Sequence, residues 1–283
     1  MTERVVGPWP DRPGERADAV PNVAAAPVEA VLLDIDGTLL DSNDAHAQAW
    51  SDTLRAAGFD IGSEQVLPYV GMGGDKLLPM LTGIDVESDE GKLLVARRRE
   101  IFEKEYLPTI RPFPKARELL ERMRSDGLRL VVATSASQAE LRGLLGALGA
   151  EWLVDDTTSS SDAARSKPDP DIVRAAVDKA GVGPASCVML GDSPYDVAAA
   201  TRAGVRTVAV RCGGWSDADL RGAVEIYDDP QELLAKYDES VIGRGWHGAG
   251  KPRTTGERPR GGAGTRGVER GRPSEDRGDE HSA

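Results

Sequence analysis

Short apolar runs alternate with amphipathic stretches through the middle of the chain. Residues 30–34, 128–133, 152–155, 187–191 and 207–211 have the length and composition of buried strands. Between them apolar side chains return at helical spacing. Ala116, Leu119, Leu120 and Met123 share one face before Gly127, and Ser137 with Glu140 forms a capping box. Asp169-Pro170 and Ser193-Pro194 each set a capping residue before a first-turn proline. Helices that alternate with strands in this way need a sheet on which to bury their stripes. The order predicts an α/β fold with a mainly parallel sheet covered on both faces.

The interval from residue 40 to residue 127 is far longer than a crossover helix requires, so it must hold an extra element. Residues 43–57 read as a helix that ends at Gly58, and residues 88–106 as a second one opened by Ser88. A helical insert over 43–110 follows, hinged near 41–44 and 108–112. It leaves the core, 28–42 and 111–240, at the carboxyl end of the first strand, where open α/β sheets bind ligands. An insert at that position can act as a lid. Residues 1–27 and 241–283 are rich in Gly, Pro, Arg, Asp and Glu with no apolar period, and are expected to be disordered.

Composition narrows the functional classes. The 283 residues carry a formal charge of −12, which opposes nonspecific attraction to nucleic acid. The two cysteines, Cys187 in an apolar run and Cys212 after another, do not form a disulfide framework. No apolar run approaches membrane-spanning length, and the first residues lack a basic stretch followed by a hydrophobic segment. A cytoplasmic enzyme, monomer or homodimer, is the expectation.

The candidate chemistry sits at strand ends. Val31-Leu32-Leu33-Asp34-Ile35-Asp36-Gly37 is a buried strand that delivers two acids one residue apart, followed by a turn glycine. Strand alternation would point both acids the same way, and two crowded carboxylates call for a cation; Mg²⁺ suits carboxylate and carbonyl oxygen and keeps waters for a phosphate. The second strand runs into Thr134-Ser135, whose hydroxyl and following amides could bind a phosphoryl oxygen. Lys167, just before a helix start, could neutralise phosphate and carboxylate, but taken alone it reads more readily as a solvated loop lysine. Val188-Met189-Leu190-Gly191-Asp192 is again a buried strand ending in an acid. Asp192 can complete the metal site, and Asp196 in the first helical turn favours the helix dipole and supports it.

In that order, Asp34-Ile35-Asp36-Gly37-Thr38, Thr134, Lys167 and Gly191-Asp192-Ser193-Pro194-Tyr195-Asp196 resemble the motifs of the haloacid dehalogenase superfamily, across about residues 29–237. The long insert resembles the helical C1 cap of its phosphoglycolate phosphatase and beta-phosphoglucomutase group. The resemblance implies a Rossmann-like, doubly wound core with an inserted cap, and a Mg²⁺-dependent phosphatase acting on a small phosphorylated metabolite. It implies Asp34 as nucleophile, Asp36 as general acid and base, and Thr134 and Lys167 as stabilisers of the transferring group, with Ser135 as a neighbouring candidate. The metal would be held by the Asp34 carboxylate, the Asp36 main-chain carbonyl and Asp192. On this reading the metal-bound Asp34 stays ionised while Asp36, near a phosphate, holds a proton more readily. An acid two residues after the nucleophile sets phosphoester chemistry apart from dehalogenation, which needs no proton donor to the leaving group.

A sugar-phosphate mutase is the closest rival. Asp41-Ser42-Asn43-Asp44-Ala45-His46 and Trp50 resemble the hinge and first cap helix of beta-phosphoglucomutase, where a histidine at the position of His46 couples cap closure to acid-base readiness. The cap arginine that grips the second phosphate in that family has no counterpart in Val70-Gly71-Met72-Gly73-Gly74-Asp75-Lys76. Gly73 and Lys76 are the substrate-facing candidates there, and Arg97, Arg98 and Arg99 point around a helix toward solvent. The phosphatase reading therefore leads, and a noncatalytic phosphate-binding protein ranks last because every motif position keeps a competent side chain.

Overall fold

In the computed structural model, which describes residues 26–244, Ala30–Leu33 forms a fully buried strand, β1. The other strands are β2 (Leu40–Asp41), β3 (Arg111–Pro112), β4 (Arg129–Ala133), β5 (Asp156–Thr158), β6 (Cys187–Gly191), β7 (Arg206–Val210) and β8 (Glu225–Tyr227). Helices α1 (Asn43–Ala56), α2 (Ser63–Val66), α3 (Gly74–Thr82) and α4 (Asp89–Ile101) lie in the insert. The core contributes α5 (Ala116–Ser125), α6 (Gln138–Leu148), α7 (Asp171–Ala180), α8 (Pro194–Ala203), α9 (Pro230–Ala235) and α10 (Val241–Arg244).

Six strands form one parallel sheet in the order β5-β4-β1-β6-β7-β8. Alternation sorts their side chains onto two faces. Val31, Leu33, Leu130, Val132, Val188 and Leu190 pack against α5, α6 and α9, whereas Ala30, Leu32, Val131, Ala133, Cys187 and Met189 pack against α7 and α8. The core is therefore doubly wound, as the alternation of runs predicts. Each buried Leu or Val side chain contributes about 2 kcal/mol of transfer free energy, so the strands that end at the candidate acids are among the most firmly held parts of the chain. The sequence reverses its direction of growth around β1, which opens a crevice at the carboxyl ends of β1, β4 and β6.

The insert has its own apolar centre of Ala47, Trp50, Leu54, Val66, Val70, Met72, Leu77, Leu78 and Leu94, joined by Tyr195 from the core. Its two connections run side by side: β2 pairs antiparallel with β3, Leu40 opposite Pro112 and Asp41 opposite Arg111. Both expected hinges thus lie in one short ribbon.

Several details differ from the sequence expectation. The apolar run 152–155 is not a strand; Glu151–Leu153 is a 3₁₀ turn that buries Leu153 and leaves Trp152 63% exposed. The strand follows at the polar Asp156–Thr158, an edge strand with a single partner that needs no apolar run. Helix α7 is capped at Pro170 rather than Asp169, whose carboxylate is drawn to the insert. The helix expected over 88–106 stops at Ile101, continues as a wide π turn over Phe102–Tyr106, and closes with a 3₁₀ turn over Leu107–Thr109. Structure also extends past residue 240, because Ile242 is buried against the core and ends it with a helical turn. Residues 1–25 and 245–283, most of the two segments expected to be disordered, lie outside the described residues.

Candidate active site

The register brings the acids together. Leu33 stands opposite both Val132 and Leu190, so β1, β4 and β6 end at one level, and the Asp34 N–H extends the ladder by donating to the Leu190 carbonyl at 2.9 Å. Asp34, Asp192 and Asp196 are all buried, with carboxylate oxygens within 4.8 Å of one another. Lys167, 1% exposed, lies among them, its Nζ 2.6 Å from Asp34 Oδ1 and 2.7 Å from Asp196 Oδ1. Thr38 Oγ1 lies 3.0 Å from Asp34 Oδ2 and 3.2 Å from Asp192 Oδ1, and Asn43 Nδ2 donates to Asp192 Oδ2 at 3.0 Å. Asp196 is fixed by the capping box of α8, accepting from the Ser193 N–H at 3.0 Å and its hydroxyl at 2.6 Å.

Two glycines make room for Asp192. A Cβ on Gly37 would stand 2.3 Å from its Oδ2, and one on Gly213 only 1.6 Å. Gly37 also takes φ +76°, the left-handed turn that reverses the chain after β1. The two acids of the first motif part just before that turn. The Asp36 carboxylate leaves the cluster for the insert, where it accepts from Ser42 Oγ at 2.6 Å and contacts His46 Nε2 at 2.8 Å. The strand alternation expected to align Asp34 and Asp36 ends at Leu33, before either of them.

Charge differs sharply between the two zones. One lysine serves three buried carboxylates. Burial pushes Asp34 up to about 7 against the opposing pull of Lys167, with Asp196 and Asp36 adding to the rise. Burial, then Asp196 and Asp34, holds Asp192 well above the carboxylate range. Lys167 moves the other way: burial disfavours its charge, but Asp196 and Asp34 outweigh burial and keep it protonated. A single cation can be satisfied by two anions while each anion remains undercompensated. Asp36 shows the reverse balance. Burial raises it, but His46, the Ser42 hydroxyl and Arg98 together bring it below the ordinary carboxylate value. The protein's own groups therefore set an order of proton affinities opposite to the one expected from sequence, because that expectation placed a metal at Asp34 and a phosphate near Asp36.

Behind His46 a buried chain of contacts crosses from the insert to the core. His46 stacks on Phe102, with ring centroids 4.2 Å apart, and its Nδ1 meets Arg98. Arg98 also pairs with Glu140, in the first turn of α6, and lies over the Trp50 and Phe102 rings. Arg98 is thus buried, contrary to the expectation for the three-arginine run. Leu94, Arg98 and Ile101 are the buried positions of one helical face, and that periodicity is the signal that distinguishes Arg98 from its neighbours.

A cavity of about 440 Å³ opens between insert and core onto Asp34 and Asp36. Thr134 and Ser135 line it from the end of β4, His46 from α1, and Gly73 from the insert loop. Thr134 Oγ1 accepts from the Ala136 N–H at 3.1 Å, which leaves its hydrogen to donate into the cavity. Lys76, expected at the substrate, instead pairs with Asp169 of the core. Thr38, Ser42, Asn43, Arg98 and Glu140 are site residues that sequence reasoning did not single out. The first three lie within seven residues of Asp36, whereas the sequence marks Glu140 only as a capping residue.

The donor set fits a hard divalent cation: it is all oxygen, carries more negative charge than Lys167 offsets, and raises the proton affinity of Asp34 and Asp192 in the way that an uncompensated cluster must. Among the described residues no helix is long and apolar enough to cross a membrane.

The sequence profile of the haloacid dehalogenase-like hydrolases matches residues 28–204. A phosphoglycolate phosphatase from Nitrosospira multiformis is 32% identical over 193 residues, 66% of this chain and 85% of the relative. The pyrophosphatase PpaX of Bacillus velezensis is 28% identical over 215 residues, 75% of this chain and 94% of the relative. Among solved structures, CbbY from Rhodobacter sphaeroides in complex with phosphate superimposes with a TM-score of 0.64 at 27% identity, covering 75% of this chain and 99% of that one.

Proposed function

The chain belongs to the haloacid dehalogenase-like hydrolase family, and we propose on that premise that it hydrolyses small phosphate monoesters through an aspartyl-phosphate on Asp34, with Mg²⁺ as cofactor. The observation that carries this reading is a buried Asp34, held by Lys167 at 2.6 Å, on a cavity that Asp36 and His46 also line. A volume of about 440 Å³ suits a small ester. The Asp34 and Asp192 carboxylates and the Asp36 main-chain carbonyl would hold the metal. When bound, Mg²⁺ supplies a Lewis acid that draws charge from the phosphoryl oxygens.

The chain's own residues supply the remaining chemistry. An Asp34 carboxylate oxygen attacks phosphorus; the new oxygen–phosphorus bond forms as the ester bond breaks, and the electron pair goes to the leaving oxygen. Asp36 gives that oxygen its proton. In the second half-reaction Asp36 takes a proton from water, the water oxygen attacks phosphorus, and the bond to Asp34 breaks to return the carboxylate and release phosphate. Lys167 and the Thr134 hydroxyl offset charge on the transferring oxygens, and Ser42 with His46 sets the direction in which Asp36 faces.

The proposed acceptor is water rather than a second sugar phosphate because the insert's Lys76 is occupied by Asp169 and leaves α3 without a free cation for a second phosphate. The mutase reading keeps two observations in its favour, the contact chain from Asp36 through His46 to Arg98 of the insert and the insert's Arg99 on the cavity lining. Time-resolved phosphate release with Mg²⁺ from a panel of monoesters, run beside beta-glucose 1-phosphate with a trace of its bisphosphate, separates the two. Free phosphate supports hydrolysis, and isomerised sugar phosphate with little free phosphate supports the mutase. Asp34→Asn should abolish turnover, and Asp36→Asn should lower kcat about 100-fold or more while metal dependence is kept. Full turnover in the Asp34 variant would sink the mechanism.

A further inference from the structure

The insert meets the core a second time beside Lys167. The start of α3 lies against Ser166-Lys167-Pro168-Asp169. The Gly73 N–H donates to Ser166 Oγ at 3.1 Å, the Ser166 N–H donates to Asp75 Oδ2 at 3.3 Å, and Ser166 Oγ donates to Asp75 Oδ1. On the other side of the lysine, Lys76 Nζ donates to Asp169 Oδ2. Two consecutive insert side chains thus grip the residue before Lys167 and the second residue after it. The approach requires Gly73, since a Cβ there would lie 2.5 Å from Ser166 Oγ and 2.6 Å from Ser166 Cβ. Asp75 stands in the first turn of α3, where the helix dipole favours a carboxylate.

Asp34 and Asp196 hold the Lys167 ammonium at its tip, but the four-carbon stem is flexible, so the line along which the ammonium is presented also depends on a fixed backbone. On the core side the loop is held through Arg202, which donates to the Pro168 carbonyl at 2.9 Å, and through the local turn from the Asp169 N–H to the Ser166 carbonyl at 3.1 Å. The contacts to Ser166 Oγ and to the Asp169 carboxylate that hold the two flanks come from the insert, apart from a partly exposed Arg165.

We propose that Asp75 and Lys76 are positioning residues that clamp the Lys167 loop when the insert is seated, so that the lysine is aligned for phosphoryl transfer only in the closed enzyme. This role rests on the proposed function, which makes Lys167 a stabiliser of the transferring group. It assigns Lys76 to the core loop rather than to substrate. It also couples closure over the substrate to the charge that the reaction needs, since the loop that carries Lys167 is completed by the lid itself.

Asp75→Ala, Ser166→Ala and the double variant, assayed with Mg²⁺ on a monoester that the wild type hydrolyses, test the clamp. Each single variant should lose about tenfold in kcat with KM within about twofold, because a misaligned lysine weakens the transition state more than ground-state binding. The double variant should lose clearly less than the product of the two single losses, since both singles remove the contact between Ser166 Oγ and Asp75. Lys76→Asp and Asp169→Lys should each lower kcat, and the charge-swapped pair should recover it. Unchanged kcat in Asp75→Ala, or losses that simply multiply in the double variant, would overturn the clamp. If Asp75→Ala does not fold, the swapped pair decides, and failure to recover overturns the role of Lys76. Absence of phosphate release by the wild type from every monoester would instead remove the proposed function on which the clamp depends.

Discussion

Protons and a divalent cation should compete for Asp34, and the structure sets the size of the competition. Burial raises its carboxyl from 3.8 to about 7. At pH 8 about nine-tenths of the protein then presents an ionised Asp34, and at pH 6 about one-tenth, so apparent Mg²⁺ affinity should weaken roughly tenfold across that range. Asp192, raised in the same direction, steepens the dependence. Folding stability follows the same linkage. A carboxyl whose folded pKa lies above its unfolded value binds protons more tightly when folded, so stability falls as pH rises from about 4 to about 7 and levels off above. From pH 6 to pH 8 the loss from Asp34 is on the order of 1 kcal/mol, a few °C in Tm for a domain of this size.

Calorimetric titration of chelator-stripped protein with MgCl₂ at pH 6, 7 and 8, at fixed ionic strength, reads the first effect, and thermal melts with and without the metal read the second. Stripped protein should melt higher at pH 6 than at pH 8, and Mg²⁺ should raise Tm more at pH 8. An affinity independent of pH, or tighter at pH 6, would refute the reasoning: Asp34 would then be neither buried enough nor close enough to Asp192 and Asp196 to hold its proton.

Two further substitutions test the geometry. Gly213→Ala puts a methyl group 1.6 Å from Asp192 Oδ2 and must displace that carboxylate; the Mg²⁺ concentration for half-maximal activity should rise at least tenfold, and an unchanged value would show that Asp192 does not hold the metal. Glu140→Gln keeps the side-chain shape but leaves Arg98 without its buried counter-charge, at a cost of about 3 kcal/mol in urea unfolding at pH 7.5; a loss under about 0.5 kcal/mol would mean that the pair is solvated.

What the sequence revealed follows from where physical signals are local. The strands β1, β4, β6 and β7 are legible because burial on both faces makes them continuous apolar runs. Strand β5 is not, because an edge strand of Asp156-Thr157-Thr158 satisfies its pairing on one side and needs no apolar pattern. The β2–β3 ribbon is two residues per strand and contains Pro112, so neither period nor propensity marks it. Asp34, Thr134, Lys167 and Asp192 are legible because each follows a strand or precedes a helix. Arg98 and Glu140 acquire their meaning only when α4 is laid against α6. The same is true of Asp75, whose partner Ser166 is distant in the chain.

The sharpest departure from expectation concerns the two acids of the first motif. Only Ile35 separates them, yet with the strand ended at Leu33 one lies in a zone of excess negative charge and the other toward His46 and Arg98. Environments that push paired carboxyls apart are the usual means of assigning acid and base roles. Here the division made by the protein groups favours a proton on Asp34 and an ionised Asp36. A divalent cation beside Asp34 acts to strip its proton, and a phosphate dianion entering the cavity adds negative charge near Asp36 and opposes the pull of His46 and Arg98. Both changes carry the pair toward the state that the proposed mechanism calls for in its first half-reaction, an ionised Asp34 and a protonated Asp36.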